Sequence, residues 1–195
     1  MKTIIFIRHG EATSNITHTI TSDFEGYPLT DLGRTEVTML AATLDSMRID
    51  GFYTSPVLRA IQTAQIISEK CRIRPKVDKR LMERSMGRLG GLRFISREQE
   101  NDAVTEDVKS GYRNGVESWE SIEERVKSFI DSAENGLVMA VSHHDAIMAA
   151  LGLIDGRYRN NDTFVKVSTG SATTIDFENR RIIGINSKAI PVVTA

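Results

Sequence analysis

Two histidines and two arginines stand where the apolar strands of this sequence end. Arg8 and His9 follow the apolar run at residues 4–7, Arg59 lies one turn into the helix after a second short strand, and His143 follows a third strand. Because ligands of open α/β sheets bind beyond the carboxyl ends of parallel strands, we expect these side chains to meet at one edge. Two guanidinium groups and helix N-termini suit a tetrahedral, doubly charged anion such as phosphate.

Phosphoryl transfer is the chemistry that such a site would perform. An unprotonated imidazole attacks phosphorus, and neighbouring cations keep it unprotonated near neutral pH because they disfavour imidazolium. One histidine would therefore form a phosphohistidine, and the other would act as a cationic donor to the phosphoryl oxygens. Glu83 follows an extended stretch at residues 72–82. It is the candidate for protonating the leaving alkoxide and then deprotonating the attacking water or alcohol.

Simpler interpretations of the same residues stay open at this point. An Arg-His pair at a strand end is most often a polar terminus, and a lone glutamate is most often a surface residue. The sequence "SHHDA" also offers His143, His144 and Asp145 as metal ligands. However, adjacent residues on a tight turn rarely converge on one ion, and no HExxH, CxxC or paired acidic motif accompanies them. The joint pattern therefore favours phosphate chemistry without a metal.

The elements that position these residues alternate between apolar runs and stretches at helical spacing, which predicts an α/β fold with a mainly parallel sheet. Ser55 and Pro56 predict the N-cap and first residue of a helix. Residues 172–186 predict a hairpin that turns at 178–180. The remaining predicted strands lie at residues 2–8, 50–55 and 137–142, and the predicted helices lie at 31–47, 56–70, from 118 onward and at 144–151.

Residues 86–116 differ from the rest of the chain because they carry many charges, scattered glycines and few apolar side chains. Ser96 and Gln99 predict a capping box at the start of a short helix, and Gly111 predicts its end. This segment is too polar for the core. We expect it to be an excursion over the active site.

The composition predicts one domain over residues 1–195, with enough chain to bury a full core. Apolar residues are 40% of the chain, and 25 Lys and Arg nearly balance 26 Asp and Glu. No global field therefore favours nucleic acid or an acidic membrane as a partner. The single cysteine, Cys71, suits a reducing compartment. The first apolar run is too short for a signal peptide or a membrane span, so we expect a cytoplasmic protein.

Five motifs in order along the chain resemble the histidine phosphatase superfamily, also called the phosphoglycerate mutase-like family. One such motif would be weak evidence, but five in the same order are strong evidence. The motifs are "RHGEATSN" at residues 8–15, "YPLTDLGR" at 27–34, "YTSPVLRAIQTA" at 53–64, "LMERSMGRLGG" at 81–91 and "VSHHD" at 141–145.

This resemblance implies a three-layer α/β/α sandwich and a metal-independent reaction through phosphohistidine. The catalytic residues that it implies are His9 as the nucleophile, Glu83 as the proton donor, and Arg8, Arg59 and His143 as the phosphate pocket.

Four further residues are expected to bind substrate. Asn15 matches a family position that contacts the phosphoryl group or the substrate, and Gly10 is expected to let the backbone turn close to the phosphate. Arg84 could bind a carboxylate or a second phosphate. His144 stands where the family usually has glycine, so it either narrows the pocket or adds a donor to it. The alternative, which we favour slightly, is a side chain that points away from the site.

The acceptor of the phosphoryl group divides the functional alternatives. "LMERSMGRLGG" is typical of the mutase branch, whereas residues 92–116 mix both charges and lack the paired arginines expected over a phosphoglycerate. We therefore predict a phosphomonoesterase of a small phosphorylated metabolite, with no cofactor and as a monomer or homodimer. The alternative is a phosphoglycerate mutase that depends on 2,3-bisphosphoglycerate. A non-catalytic phospho-ligand binding protein is the third and weakest interpretation.

Overall fold

The strand that carries the first motif lies at the centre of the sheet. In the computed structural model of the chain, which describes residues 2–21, 24–44, 47–161 and 165–189, this strand is β1 (Lys2–Arg8). Its residues 3–7 are fully buried or nearly so because the sheet is covered on both faces. β1 therefore delivers Arg8 and His9 to the end of the sheet.

The sheet has six strands in the order β3-β2-β4-β1-β5-β6. β1 pairs in parallel with β4 (Gly136–Ser142), β4 pairs in parallel with β2 (Gly51–Thr54), and β2 pairs in parallel with β3 (Lys76–Val77). The hairpin of β5 (Ala172–Asp176) and β6 (Arg181–Ser187) is antiparallel. The prediction of a mainly parallel sheet is confirmed, and the register aligns Arg8 with Ser142 at the carboxyl edge.

Helices cover both faces and complete the predicted three layers. α2 (Asp31–Ala42) and α3 (Leu58–Cys71) pack on one face, against side chains such as Ile5 and Met139. α5 (Trp119–Ser132) and α6 (His144–Gly152) pack on the other, against side chains such as Phe6 and Val138. The shorter helices are α1 (Thr13–Thr17) and α4 (Arg97–Lys109), with 3₁₀ turns at Lys79–Leu81, Gly87–Leu89 and Gly156–Asn161.

Two predicted helix boundaries are wrong. The helix predicted at 31–47 ends at Ala42, with Thr43 as its C-cap, and residues 45 and 46 of that prediction lie outside the described residues. The helix predicted to start at Pro56 starts at Leu58, with Val57 as its N-cap. Ser55 lies two residues before this N-cap, and its hydroxyl accepts from the Val57 N–H at 3.4 Å and contacts Nε2 of His143 at 2.9 Å.

Residues 86–116 lie beside the carboxyl edge of the sheet and have a small core of their own. Met86, Leu89 and Val116 pack with Ile20. α4 begins at the predicted cap, because Ser96 Oγ accepts a hydrogen bond from the Gln99 N–H at 3.2 Å. Among the described residues, no helix is long and apolar enough to cross a membrane.

Candidate active site

A cavity of about 130 Å³ opens at the carboxyl edge of the sheet. Its deep part contains Arg8, His9 and Arg59, which come from β1 and α3. Glu83 lies in its wall as well, so the residues of three separate motifs meet in one place. The other lining residues are Ser14, Asn15, His18, Thr19, Ile20, Thr21, Met86, Glu100, His144 and Asp145.

The hydrogen bonds of His9 fix which nitrogen can act as a nucleophile. Its Nδ1 lies 2.8 Å from the carbonyl oxygen of Gly10. A carbonyl cannot donate, so Nδ1 carries the hydrogen and Nε2 presents its lone pair. Arg59 Nε donates to that lone pair at 3.1 Å. His9 is 2% exposed. Because Nδ1 carries the hydrogen, Nε2 is the nitrogen available for attack on phosphorus.

His143 lies behind His9, with 5.1 Å between the two ring centroids. Its Nε2 is 2.9 Å from Ser55 Oγ, and its Nδ1 is 3.3 Å from Arg59 Nη2. Arginine can only donate, so Nδ1 accepts and Nε2 donates to the serine. Arg59 therefore selects the tautomer in which Nδ1 of His143 carries the lone pair, and Ser55 Oγ accepts from Nε2–H.

Burial and the neighbouring arginines favour the neutral form of both imidazoles in the free site. Burial, followed by the charges of Arg59 and Arg8, lowers the pKa of His9 well below its usual 6.5. Burial and the charge of Arg59 are also the two largest causes that lower the pKa of His143. Sequence reasoning named the cations but not burial, which is the larger cause in both cases. The prediction that the second histidine is a cationic donor concerns the phosphoryl-bound site, and it stays a prediction.

The two arginines are held by backbone carbonyls. Arg59 Nη2 donates to the carbonyl oxygen of Thr21 at 2.9 Å, and Arg8 Nη1 donates to that of Val167 at 2.5 Å. The loop that precedes β5 also pairs with this strand end, since the N–H of Arg8 donates to Ser171 and the N–H of Gly170 donates to His9. These contacts aim both guanidinium groups before any ligand arrives.

Glu83 binds the N-terminus of α6. Its Oε2 accepts from the N–H of His144 at 3.1 Å, and its Oε1 accepts from the N–H groups of Asp145 and Arg84, each at 3.0 Å. The N–H groups of His144 and Asp145 have no partner within the helix, and the carboxyl group of Glu83 supplies their acceptor. The predicted proton donor is thus fixed beside the turn that carries His143.

Arg125 and Glu117 are residues of this region that sequence reasoning missed. Arg125 lies on α5 and donates to the carbonyl oxygens of Arg80, Met82 and Glu83 at 2.7, 2.8 and 3.2 Å. It also pairs with both carboxylate oxygens of Glu117. No local motif marks either residue, because their role depends on the packing of α5 against a segment about 40 residues earlier.

Two of the predicted substrate-binding residues lie in the cavity wall. Asn15 accepts from the N–H of Ala12 through its Oδ1 at 2.9 Å, which fixes the amide plane. His144 lies in the wall rather than away from it, contrary to the orientation that the sequence favoured, and its Nδ1 is 3.0 Å from Asp145 Oδ1.

The other two, Gly10 and Arg84, lie outside the cavity lining, and their roles at the substrate stay predictions. A Cβ on Gly10 would lie 2.4 Å from the carbonyl oxygen of Gly33 in α2, and the close packing of that helix explains the glycine. Arg84 is 3% exposed. Its Nε donates to the carbonyl oxygen of Glu117 at 2.6 Å, and its guanidinium lies over the Trp119 ring.

The outer wall of the cavity holds residues that the sequence motifs did not single out. His18, at the end of α1, has a left-handed backbone (φ 52°), and Glu100 comes from α4. Met86 belongs to the segment 86–116, so this excursion does reach the site. Within the described part of the chain, no group of three His, Cys, Asp or Glu side chains is placed to hold a metal ion.

A buried imidazole flanked by arginines, a second imidazole and a helix-bound carboxyl group are the groups that phosphoryl transfer requires. The model of the histidine phosphatase superfamily (branch 1) matches residues 4–185. The chain belongs to this superfamily, whose members are histidine phosphatases or phosphoglycerate mutases, and the predicted resemblance is confirmed.

Known relatives fall on both sides of that division. The chain is 30% identical over 194 residues to the 2,3-bisphosphoglycerate-dependent phosphoglycerate mutase of Thermoplasma acidophilum, covering 96% of this chain and 93% of the relative. It shares its fold with the alpha-ribazole phosphatase of Shigella flexneri (TM-score 0.77, 21% identity, 98% and 100% covered). The phosphoglycerate mutase of Bacillus anthracis is similar too (TM-score 0.71, 24% identity, 89% and 87% covered).

Proposed function

We propose that this protein is a metal-independent phosphomonoesterase that acts on a small phosphorylated metabolite through a phosphohistidine on His9. The observation that carries the proposal is the charge of the cavity wall. Among the described lining residues, the arginine and lysine side chains are Arg8 and Arg59 alone, whereas Glu100 and Asp145 place carboxylates in the wall beside the proton donor Glu83. This wall suits one phosphoryl group on a leaving group without further anions.

The first step transfers the phosphoryl group to the protein. The dianion binds Arg8 and Arg59, which frees Nε2 of His9 from Arg59. Nε2 attacks phosphorus, the bond from phosphorus to the leaving oxygen breaks, and Glu83 gives its proton to that oxygen so that a neutral alcohol leaves. His143 takes up a proton when the dianion binds, and its Nδ1–H donates to a phosphoryl oxygen.

The second step returns the site to its first state. A water molecule attacks the phosphohistidine, Glu83 takes the proton of the water, and the bond from nitrogen to phosphorus breaks. Inorganic phosphate then leaves, with Nε2 of His9 again carrying a lone pair and Glu83 again protonated. The attacking water supplies the proton that Glu83 regains, and His143 returns to solvent, when phosphate leaves, the proton that it took up on binding. The proposal includes no cofactor.

A second candidate, the phosphoglycerate mutase reaction, is favoured by the relative from Thermoplasma acidophilum. In that reaction a substrate hydroxyl, rather than water, accepts the phosphoryl group from His9, with 2,3-bisphosphoglycerate as cofactor. Such a cofactor carries a second phosphate and a carboxylate, for which the cavity wall as described offers carboxylates and imidazoles rather than arginines. The proposal therefore ranks hydrolysis first.

The deciding experiment supplies 3-phosphoglycerate with and without 2,3-bisphosphoglycerate and measures both products. A phosphatase releases inorganic phosphate from a panel of phosphomonoesters, and 2,3-bisphosphoglycerate does not raise its turnover. Formation of 2-phosphoglycerate that requires 2,3-bisphosphoglycerate would instead identify a mutase. His9→Asn is the blank for both assays.

The charge argument has its own test in two esters of similar size, 2-hydroxyethyl phosphate and phosphoglycolate. We expect kcat/KM to be at least about tenfold lower for phosphoglycolate, because its carboxylate faces the acidic wall. Glu100→Gln should reduce the ratio of kcat/KM for 2-hydroxyethyl phosphate to kcat/KM for phosphoglycolate. Glu98→Gln, on an exposed part of the same helix, should leave this ratio unchanged. Equal rates for the two esters would contradict the charge argument without affecting the phosphohistidine.

We also propose that the protein binds a small phosphorylated substrate and that neither nucleic acid nor a membrane is a partner. A cytoplasmic location and a monomeric or homodimeric state complete it. Fractionation of the native cells and sedimentation of the purified chain test these two points.

A further inference from the structure

The backbone carbonyl oxygens of residues 80–83, the segment that leads into Glu83, accept hydrogen bonds from side chains rather than from the N–H groups of a strand or helix. Arg125 on α5 reaches the carbonyl oxygens of Arg80 and Met82 with Nη1, at 2.7 and 2.8 Å, and that of Glu83 with Nη2, at 3.2 Å. Buried carbonyls need donors, and three of the four carbonyls of residues 80–83 take theirs from one guanidinium.

The fourth carbonyl completes the pattern. The hydroxyl of Ser142, the last residue of β4, donates to the carbonyl oxygen of Leu81 at 2.8 Å. β4 ends directly before His143, so this bond ties the Glu83 segment to the strand that carries the second histidine. Every carbonyl from residue 80 to residue 83 thus accepts a hydrogen bond from a side chain of another element.

The orientation of Arg125 is itself fixed by Glu117. Arg125 Nε donates to Oε1 at 2.8 Å and Nη2 donates to Oε2 at 3.0 Å. With the three carbonyls, these contacts engage all five N–H donors of the guanidinium. Glu117 Oε2 also accepts from the N–H of Ser85 at 3.0 Å. The Arg125–Glu117 pair therefore binds the backbone both before and after Glu83.

The opposite side of Glu83, its carboxylate, is bound by the N-terminus of α6. The backbone of Glu83 is therefore fixed from α5 while its side chain is fixed from α6. Proton transfer needs the carboxyl group within hydrogen-bond reach of the leaving oxygen, and a misplacement of about 1 Å can cost about 10²-fold in rate. A contact outside the cavity can thus control the proton transfer.

We propose that Arg125, oriented by Glu117, is a positioning residue that holds Glu83 where it can protonate the leaving group. The proposal rests on the proposed function, in which Glu83 is the proton donor. Arg125 lies outside the described cavity lining, so it acts on the substrate through Glu83.

The test compares substrates that differ in their need for a proton. The oxygen of p-nitrophenyl phosphate leaves as a stable anion, whereas that of an alkyl phosphate such as 2-hydroxyethyl phosphate must be protonated. We expect Arg125→Met to lower kcat/KM for the alkyl ester by about 10²-fold and for the aryl ester by less than about threefold. Glu83→Gln should show the same selective loss, and Arg125→Met should add little to it in the double variant.

Matched variants separate positioning from stability. Glu123 lies on α5, as Arg125 does, and pairs with Arg159. Arg159→Met removes this comparable pair, and any loss of kcat/KM that follows from lower stability should be the same for both esters. Arg125→Lys has three donors instead of five, so it should recover part of the alkyl activity. If Arg125→Met does not fold, Glu117→Gln provides the same comparison through the orientation of the guanidinium.

Three outcomes would overturn the inference. Equal losses for the two esters would show a general structural role, or an effect through His143, whose pKa the Arg125 charge also lowers. Multiplicative losses in the double variant would show that Arg125 acts independently of Glu83. A Glu83→Gln variant without any leaving-group dependence would instead contradict the assignment of Glu83 in the proposed function.

Discussion

The two buried histidines make the stability of the free protein depend on pH near neutrality. His9 and His143 are 2% and 0% exposed, and burial and Arg59 hold the pKa of each well below 6.5. In the unfolded chain both imidazoles protonate near pH 6.5. As pH falls below that value, the unfolded state therefore binds protons that the folded state does not, and the folded state loses stability.

The size of the effect follows from these two groups alone. If both stay neutral in the folded state, each contributes on the order of 1 kcal/mol between pH 7 and pH 5.5, or about 2 to 3 kcal/mol for the pair. That is a substantial share of the 5–15 kcal/mol typical of a domain, on the order of a sixth to a half. Carboxylates contribute little here, because their usual pKa values lie below the interval.

Urea unfolding of the phosphate-free protein at pH 7 and pH 5.5 measures the difference directly. We expect His143→Asn to halve it, because one imidazole remains. Saturating inorganic phosphate should reduce the difference, because the bound anion favours a protonated His143. A free energy of unfolding that is equal at the two pH values would refute the conclusion that the folded state favours the neutral form of both imidazoles.

Two further predictions concern packing and an ion pair remote from the cavity. Gly10→Ala should lower the free energy of unfolding by about 3 kcal/mol, because its Cβ would lie 2.4 Å from the backbone oxygen of Gly33. Gly156→Ala is the control, since no heavy atom lies within 4 Å of its Cβ, and urea unfolding should show almost no change for it. Contacts with Lys76, at 2.6 Å, lower the pKa of Glu134 to about 2. Glu134→Gln should therefore have a lower free energy of unfolding than the parent at pH 7. The difference in free energy of unfolding, measured with urea, should shrink as pH falls from 4.5 towards 2. A difference that grows in acid would contradict this prediction.

The sequence was sufficient for the parts of the site that lie at strand ends. Arg8, His9 and His143 follow apolar runs whose parallel pairing brings them to one edge, and Arg59 lies one turn into a helix after such a run. Strand ends have a definite place in an α/β sheet, so their side chains could be placed by topology alone.

Residues whose place depends on long-range packing could not be predicted. Arg84 has the charge of a ligand-binding residue, yet it packs over Trp119, 35 residues later in the chain. Gly10 looked like a turn residue, but the approach of α2 determines its lack of a side chain. Ser55 resembled an N-cap, but the N-cap is Val57, and the tertiary structure places His143 beside the Ser55 hydroxyl. In each case a distant element decides what the local pattern leaves open.

The most direct test of the account is the detection of phosphate on His9. Rapid mixing with a labelled phosphomonoester and quenching in alkali should trap up to one phosphoryl group per chain, stable in base, labile in acid and bonded to Nε2, because Nδ1 donates to the Gly10 carbonyl. His9→Asn should trap none. Turnover of the same ester without any phosphorylated histidine, or with phosphate on another residue, would contradict the central claim.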